Sequence, residues 1–447
     1  MFPLCGGEER ERVVLTDPGT GAPVPYSFFN PKKPILLPKN YIRKPNEFRG
    51  IWIATIGNLD FVKHENAASF RADYRAKIEK ISKAGFNTVI FQIRPACDAF
   101  YKSEINPWSR YLAGADGKAL NGEFDPLPFM IRTAHEAGLE FHAWLNPYRV
   151  GGNMTVSKKE FLETLSKKSF AAQHPEYVLE FLSANGRRNL FLNPGEPAVL
   201  LHLSDTVREI LEKYSVDAIH FDDYFYPYED IGECDKATFL RYAKPGQTLG
   251  DWRRSNVNLM VESVSRQIRQ FRTSKGREIR FGISPFGIWA NQPLPAPTSP
   301  AALEKWKKIP TSKLGSESRG YQSYYTQYAD TRLWVRKGWM DYIAPQVYWG
   351  FRHTAAPYAA VTDWWANTVR GTKVDLYIGV GAHRIGAFGD VMDPKELLNE
   401  LLYNASRPEV KGHVFYSMRD LEYPANECRK RAIRLAVEEC WQGEAPR

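Results

Sequence analysis

Two adjacent carboxylates stand in the segment His220-Phe-Asp-Asp-Tyr-Phe-Tyr-Pro227, at the end of a short apolar run. A pair of carboxyl groups in one cavity can supply the acid and the base or nucleophile that cleave a glycosidic bond. Burial and mutual repulsion are expected to push the pKa values of Asp222 and Asp223 apart, so that one of them stays protonated. The aromatic residues of the segment can stack against a sugar ring. The segment therefore predicts a glycosidase site in which Asp222 and Asp223 are catalytic.

Polar side chains end several other apolar runs as well. The second run ends with Gln92 and Arg94, the third with Asn146, and the sixth includes Gln346. A polar side chain in a barrel interior is costly unless it has a use, and side chains two apart on a strand share a face. Arg94 and Arg149 are suited to anionic groups of a substrate. The predicted substrate-binding residues are Trp52, Gln92, Arg94, His142, Asn146, Tyr148, Arg149, His220, Tyr224, Tyr226, Trp289, Gln346, Tyr348 and Trp349.

A regular alternation of short apolar runs and amphipathic stretches begins at Phe48. The runs predict strands over 49–55, 88–94, 140–146, 217–222, 280–284, 342–348, 376–380 and 412–416. The stretches predict helices over 68–84, 127–137, 198–214, 252–271, 325–337, 358–370, 395–403 and 425–440. Eight strand–helix alternations without a Gly-rich phosphate loop favour a (β/α)8 TIM barrel over a doubly wound sheet. The strand ends, with their polar residues, then meet at one face of the barrel.

The predicted domains are an irregular N-terminal arm or tail over residues 1–46 and a catalytic barrel over residues 47–447. The hydrophobic content of 43% is that of a soluble globular protein. A net charge of +9 favours anionic surroundings, but no nucleic-acid-binding signature accompanies it, so no nucleic-acid partner is expected. No signal peptide and no apolar run long enough to cross a bilayer is visible. The five cysteines form no CxxC and predict neither a disulfide framework nor a zinc site.

The second catalytic carboxylate has several candidates. Asp98 follows the second predicted strand and is a third predicted catalytic residue, and Glu229 and Glu233 follow on the loop after the Asp pair. His142 and His220 lie in neither HxH nor HExxH spacing, so hydrogen bonding is favoured over metal binding and no cofactor is expected. Ser284 lacks the nucleophile elbow of serine hydrolases.

Eight short motifs follow one another along the predicted barrel. They are Glu47-Phe-Arg-Gly-Ile-Trp-Ile-Ala54, Asn87-Thr-Val-Ile-Phe-Gln-Ile-Arg-Pro95, His142-Ala-Trp-Leu-Asn-Pro-Tyr-Arg149, Phe191-Leu-Asn-Pro-Gly195, the Asp-pair segment, Trp252-Arg-Arg-Ser-Asn-Val-Asn258, Phe281-Gly-Ile-Ser-Pro-Phe-Gly-Ile-Trp289 and Asp341-Tyr-Ile-Ala-Pro-Gln-Val-Tyr-Trp349. With them the sequence resembles the glycosyl-hydrolase-like family ten over residues 47–420. The resemblance implies a TIM barrel that hydrolyses bacterial cell-wall glycan strands in the cell envelope or periplasm. It also implies a frequent lipid anchor, although Cys5 stands in a poor lipobox.

The sequence departs from the wider α-amylase-type barrels. Asp222 looks like the Asp nucleophile at the end of strand four in those barrels. Their acid Glu, however, ends strand five, where this chain has Ser284-Pro285. Two alternatives therefore stay open beside a glycosidase acting on a cell-wall polysaccharide. One is a carbohydrate-binding barrel without catalysis. The other is a metal-dependent polysaccharide deacetylase that uses the His and Asp groups.

Overall fold

Eight parallel strands close into a barrel in the computed structural model, which describes residues 11–121, 124–292 and 315–441. Each strand pairs with the next along the chain, and the last pairs with the first, so the predicted TIM barrel is confirmed. The strands are short and largely buried because both faces are covered. They are Phe48–Ile53, Thr88–Arg94, Glu140–Leu145, Ala218–Phe221, Arg280–Ile283, the split pair Tyr342–Ile343 and Gln346–Val347, Asp375–Val380, and Val410–Phe415.

The sixth strand is interrupted, which corrects the prediction of one strand over 342–348. Its first part pairs with the beginning of Asp375–Val380 and its second part with the end of that strand. Pro345 stands at the break because proline has no N–H for a strand ladder. Its carbonyl oxygen still accepts the backbone N–H of Gly379 at 2.9 Å, which keeps the second part in place.

Helices surround the barrel and follow the strands in turn. They are Ala67–Lys83, Pro126–Glu136, Pro197–Lys213, Leu249–Lys275, Thr331–Lys337, Tyr358–Val369, Glu396–Ala405 and Glu427–Trp441. Most bounds lie within two residues of the prediction, but the helix predicted over 325–337 begins only at Thr331. Tyr328 has a φ of 51°, outside the helical region, and the Asp330 side chain caps the shorter helix at the N–H of Leu333. The helix Leu249–Lys275 extends beyond its predicted bounds, from the Thr248 cap to Gly276.

An insertion follows the third strand, and the sequence did not predict it. Arg149–Met154, Val178–Leu182 and Arg188–Leu192 form an antiparallel sheet, with two short helices, Lys158–Glu163 and Phe170–Gln173, between the first two strands. Residues of the N-terminal region, which was predicted as an arm, also form structure, since Arg12–Val14 pairs with Leu36–Pro38. Among the described helices none is long and apolar enough to span a membrane. Cys5 lies outside the described residues.

Aromatic side chains fill the barrel below the strand ends. Phe48 stacks on Tyr377 with ring centroids 4.0 Å apart, and Tyr342 packs beside both. Gly282 leaves room for this filling, because a Cβ at this position would be 1.9 Å from the Tyr342 ring. The barrel is therefore a packed core, and its open space lies at the carboxyl ends of the strands.

Candidate active site

A cavity of about 230 Å³ opens at the carboxyl ends of the barrel strands. Side chains and backbone from the strands and from the loops that follow them line it. The lining residues are Trp52, Ile56, Gln92, Trp144, Arg149, Asp222, Asp223, Tyr228, Ser284, Gln346, Tyr348 and Tyr416. Neighbouring side chains on a regular strand point to opposite faces. The fourth strand ends at Phe221, however, and the chain turns at the Asp pair. Both carboxylates therefore reach this cavity, which we call the central cavity.

Asp222 is held by donors from the neighbouring strand and from its own loop. Trp144 Nε1 donates to Oδ2 at 3.0 Å, and Asn146 Nδ2 donates to the same oxygen at 2.9 Å. The backbone N–H of Tyr224 donates to Oδ1 at 3.2 Å. Burial raises the pKa of Asp222, while the charge of Arg149 and these donors lower it. Hydrogen bonds of this kind stabilise the ionised form of a buried carboxyl group.

Asp223 has a different environment although it is the next residue. Its Oδ2 is buried and has no hydrogen-bond partner among the described residues. Burial and then the charge of Asp222 raise the pKa of Asp223 to about 7. Two carboxylates that share a site do not both ionise readily. These effects favour a proton on Asp223, whereas the donors to Asp222 favour its ionised form.

Arg149 is the one Lys or Arg side chain among the described residues that line the central cavity. Its guanidinium lies over the Tyr224 ring at 4.5 Å, and its Nη1 donates to the carbonyl oxygen of Pro95 at 3.3 Å. These contacts fix the guanidinium close enough to the Asp pair that its charge lowers the pKa of both carboxyl groups, against the larger effect of burial. Tyr224 is not among the described residues that line the cavity, but its ring contacts Arg149, which is.

An aromatic wall and the amides of Gln92 and Gln346 complete the cavity, and Gln346 Nε2 donates to the carbonyl oxygen of Ser284 at 3.0 Å. Trp52, Tyr348 and Tyr416 contact one another with ring centroids 5.7 to 6.5 Å apart. Gln92 Oε1 accepts the backbone N–H groups of Thr55 and Ile56, which fixes the orientation of its amide. Its buried Nε2 has no partner in the part of the chain that the structure describes and is a free donor at the cavity.

A hydrogen-bonded floor lies beneath the cavity. His220 Nε2 contacts Trp52 Nε1 at 3.3 Å and Ser284 Oγ at 2.9 Å, and its Nδ1 contacts the Tyr342 hydroxyl at 2.9 Å. The same hydroxyl contacts His142 Nδ1 at 2.8 Å. Burial lowers the pKa of His220 well below its usual value, so the ring is neutral, and because Trp52 donates to Nε2, the proton is on Nδ1. His220 and His142 therefore support the site from below and do not line it.

Several other predicted site residues are not at the cavity. Asn146 positions Asp222, Arg94 donates to the carbonyl oxygen of Asn146, and the Tyr226 hydroxyl donates to Asp235. Tyr148 is buried in the core, and Trp289 donates to Asp330 and stacks on Trp364. Trp349 lines an adjoining cavity.

The structure does not bring Asp98 to the Asp pair. Its Oδ1 accepts the backbone N–H of Ala96 at 3.0 Å, within its own loop, and its side chain is buried there. A loop Asp commonly makes such a turn. Glu233 is exposed and pairs with Lys236, and Glu229 is also absent from the cavity lining. The paired carboxylates of the cavity are thus Asp222 and Asp223 alone among its described lining residues.

Five lining residues were not among the predicted site residues: Ile56, Trp144, Tyr228, Ser284 and Tyr416. For Trp144 the signal was present, because it alternates with His142 and Asn146 on one strand face. Tyr416 immediately follows the eighth strand, where side chains are expected at the cavity. Tyr228 lies one residue beyond the quoted Asp-pair segment, and Ile56 enters through a loop whose path the sequence does not reveal.

Comparison with known proteins identifies related sequences across most of the chain. The profile of the family described as Glycosyl hydrolase-like 10 matches residues 47–395. Glycosyl hydrolase YngK of Bacillus subtilis is 38% identical over 383 residues, which cover 84% of this chain and 69% of that protein. Glycosyl hydrolase DigH of Escherichia coli O6:H1 is 34% identical over 425 residues, which cover 90% of each protein. The catalytic domain of β-amylase from Paenibacillus polymyxa has a similar fold, with a TM-score of 0.51, 10% identity and coverage of 89% of this chain and 100% of that one.

Proposed function

The chain belongs to the Glycosyl hydrolase-like 10 family and is a glycosidase, and on this basis we propose that its central cavity cleaves bacterial cell-wall glycan strands. In this proposal Asp223 is the general acid and Asp222 is the ionised carboxylate. The observation that carries it is the unequal hydrogen bonding of two adjacent carboxyl groups. Asp222 accepts from Trp144, Asn146 and the Tyr224 backbone, whereas Asp223 Oδ2 has no partner among the described residues.

The proposed step begins with a proton on Asp223. Asp223 donates it to the glycosidic oxygen, the bond between that oxygen and the anomeric carbon breaks, and the sugar on the oxygen side leaves as an alcohol. Positive charge develops on the anomeric carbon, and the Asp222 carboxylate stabilises it. A water molecule then adds to the anomeric carbon and releases a proton, which leaves the other sugar as a hemiacetal and restores the proton on Asp223. The donors to Asp222 are fixed by the neighbouring strand, so little reorganisation is needed during the reaction.

The remaining lining residues suit a polyhydroxylated ring. The aromatic wall of Trp52, Tyr348 and Tyr416 offers apolar faces to the C–H groups of a sugar. The free Nε2 donor of Gln92 suits a substrate oxygen. Support for cell-wall glycan comes from the family resemblance and from the net charge of +9, which favours an anionic polymer. Action on that substrate would place the protein in the cell envelope or periplasm.

Mass spectrometry of purified cell-wall glycan strands tests the proposal. The protein and an Asp205→Asn control, altered on the outer helix Pro197–Lys213, are expected to release shorter strands. Asp222→Asn and Asp223→Asn are expected to release them on the order of 10³-fold more slowly while remaining folded. Full activity of Asp222→Asn would contradict the proposal. Binding without any product after long incubation would favour the carbohydrate-binding alternative, and loss of acetyl groups that a chelator stops would favour the deacetylase.

A further inference from the structure

A second cavity adjoins the central one and extends it along the barrel rim. It has a volume of about 320 Å³ and shares Tyr228, Gln346 and Tyr348 with the central cavity. We call it the aromatic cleft, because Tyr228, Phe286, Tyr321, Tyr348 and Trp349 line it. A polymer that passes through the central cavity can therefore continue into the cleft without leaving the protein surface.

The rings of the aromatic cleft pack against one another and are partly exposed. Phe286 lies edge-on to Trp349 and to Tyr321, with centroid distances of 5.4 and 5.0 Å. Tyr228 contacts Tyr321 at 5.3 Å. The Trp349 ring is partly exposed, as are those of Tyr321 and Phe286. Partly exposed rings around a cavity of this size suit the C–H face of one sugar ring, and they supply no charge for recognition.

Arg384 supplies the charge at the cleft. Its guanidinium has no hydrogen bond among the described residues, its Nε is buried without a partner, and its nearest carboxylate oxygen, on Asp390, is 3.8 Å from Nη2. The Phe388 ring holds it in place at 3.9 Å. A guanidinium is satisfied best by two parallel hydrogen bonds to a carboxylate or phosphate, and Asp390 at this distance does not make them.

The other polar groups of the cleft also favour an anion. His353 Nδ1 accepts the backbone N–H of Ala356 at 2.9 Å, so the proton is on Nε2 and is available for donation. His383 is a second imidazole in the lining. None of the described residues that line the cleft is acidic. A negatively charged group in the cleft would therefore meet a guanidinium and N–H donors without a lining carboxylate to repel it.

We propose that the aromatic cleft is a second sugar subsite for a ring that carries a free carboxylate, and that Arg384 recognises this carboxylate. The inference rests on the proposed function, because the ring in the cleft is the neighbour of the ring that is cleaved in the central cavity. A ring with a lactyl ether and a uronic acid both present such a carboxylate. Arg384 touches the substrate in both cases and determines specificity without taking part in bond cleavage.

Paired substrates test the subsite. Cell-wall glycan strands with free lactyl carboxylates are compared with the same strands after conversion of the carboxylates to methylamides. The protein is expected to cleave the free-acid strands with a kcat/KM higher by about tenfold, mostly through a lower KM. The free energy of a hydrogen bond to a charged group corresponds to a factor of about ten in binding. Arg384→Gln is expected to lose this preference, Arg384→Lys to keep part of it, and Arg208→Gln, on the outer helix, to keep it fully.

The ratio between the two substrates is the readout, so a general loss of stability in a variant does not affect it. Equal cleavage of both strands by the unchanged protein, or an unchanged ratio in Arg384→Gln, would overturn the subsite and leave the proposed function intact. If no strand is cleaved, the proposed function fails, and calorimetric binding of the same paired strands to the protein and to Arg384→Gln tests the subsite alone.

Oligogalacturonate identifies the source of the carboxylate. Competitive inhibition that Arg384→Gln abolishes supports the subsite and shows that a uronic acid is accepted. Preference for free-acid strands without inhibition by oligogalacturonate supports the subsite and assigns it to the lactyl ether. Inhibition that is equal in the protein and in Arg384→Gln contradicts recognition by Arg384.

Discussion

The central cavity and the floor beneath it both contain buried polar side chains, but they differ in how completely those side chains are paired. In the floor, His142, Tyr342 and His220 contact one another in a chain that ends on Trp52 and Ser284. In the cavity, Asp223 Oδ2 and Gln92 Nε2 have no partner in the described part of the chain. Burial of a polar group is thus a poor sign of function by itself, because a satisfied network stabilises a core. Unused hydrogen-bonding capacity beside a cavity is the better sign.

The largest effect is expected from Asp223→Asn. The variant cannot donate a proton to the glycosidic oxygen, so cleavage of glycan strands should fall on the order of 10³-fold. The rate of strand shortening measures this, with Asp205→Asn as the control.

The same substitution should not lower stability at high pH. The raised pKa of Asp223 makes the folded state less stable as the pH rises above the usual pKa of Asp, and an Asn side chain removes this effect. Asp223→Asn should therefore unfold at the same or a higher temperature than the unaltered protein at pH above about 7. A lower melting temperature there would count against the assigned protonation state.

The pH dependence of kcat/KM should show two limbs. Asp223 must be protonated, and its pKa is raised to about 7, so activity should be present below that pH and fall roughly tenfold per pH unit above it. Asp222 must be ionised, and its pKa is also raised, so activity should fall on the acid side above the usual range for Asp. Steady-state rates across the pH range measure both limbs. Undiminished activity well above pH about 7 would contradict the role of Asp223.

Asn146→Ala should lower the rate of strand cleavage less than Asp223→Asn does. It removes a donor from both oxygens of Asp222, at 3.2 and 2.9 Å, and this raises the pKa of Asp222 further. We expect kcat to fall about tenfold, with the acid limb of the pH profile shifted to higher pH. A lower kcat with an unmoved acid limb would show that Asn146 acts only through packing.

Tyr342→Phe should affect stability more than chemistry. It removes the hydroxyl that joins His142 and His220 and leaves two imidazole nitrogens unpaired, which should lower the free energy of unfolding by about 1–3 kcal/mol. The rate of strand cleavage per folded molecule should change less than about threefold, since the floor does not touch the substrate. Denaturant unfolding and rate measurements on one preparation separate the two effects. A loss of cleavage without loss of stability would place the floor in the catalytic machinery.

The sequence predicted the barrel well because strand and helix periods are local properties. Strand Thr88–Arg94 was predicted to the residue, and its seven buried positions explain why. Pro345 in the sequence could have predicted the break in the sixth strand, because proline has no N–H for a strand ladder. The sheet of Arg149–Met154, Val178–Leu182 and Arg188–Leu192 was missed, because short antiparallel strands with bulged register lack a clear period.

The sequence predicted the location of the candidate site better than it predicted the role of each residue there. The Asp pair stood out because two carboxylates end an apolar strand. Their different hydrogen bonding depends on Trp144 and Asn146 from the neighbouring strand, and such cross-strand contacts have no signature in one sequence. Asp98 shows the converse, because a loop position after a strand does not determine whether its carboxylate faces the cavity or its own turn.

A glycoside with an activated aryl leaving group tests the central claim most directly. Such a leaving group departs without protonation, so a variant that lacks only the general acid should cleave it normally. The account predicts that Asp223→Asn, slow on glycan strands, cleaves the aryl glycoside at nearly the rate of the unaltered protein, whereas Asp222→Asn stays slow on both. Equal loss of Asp223→Asn on both substrates would contradict the assignment of Asp223 as the acid.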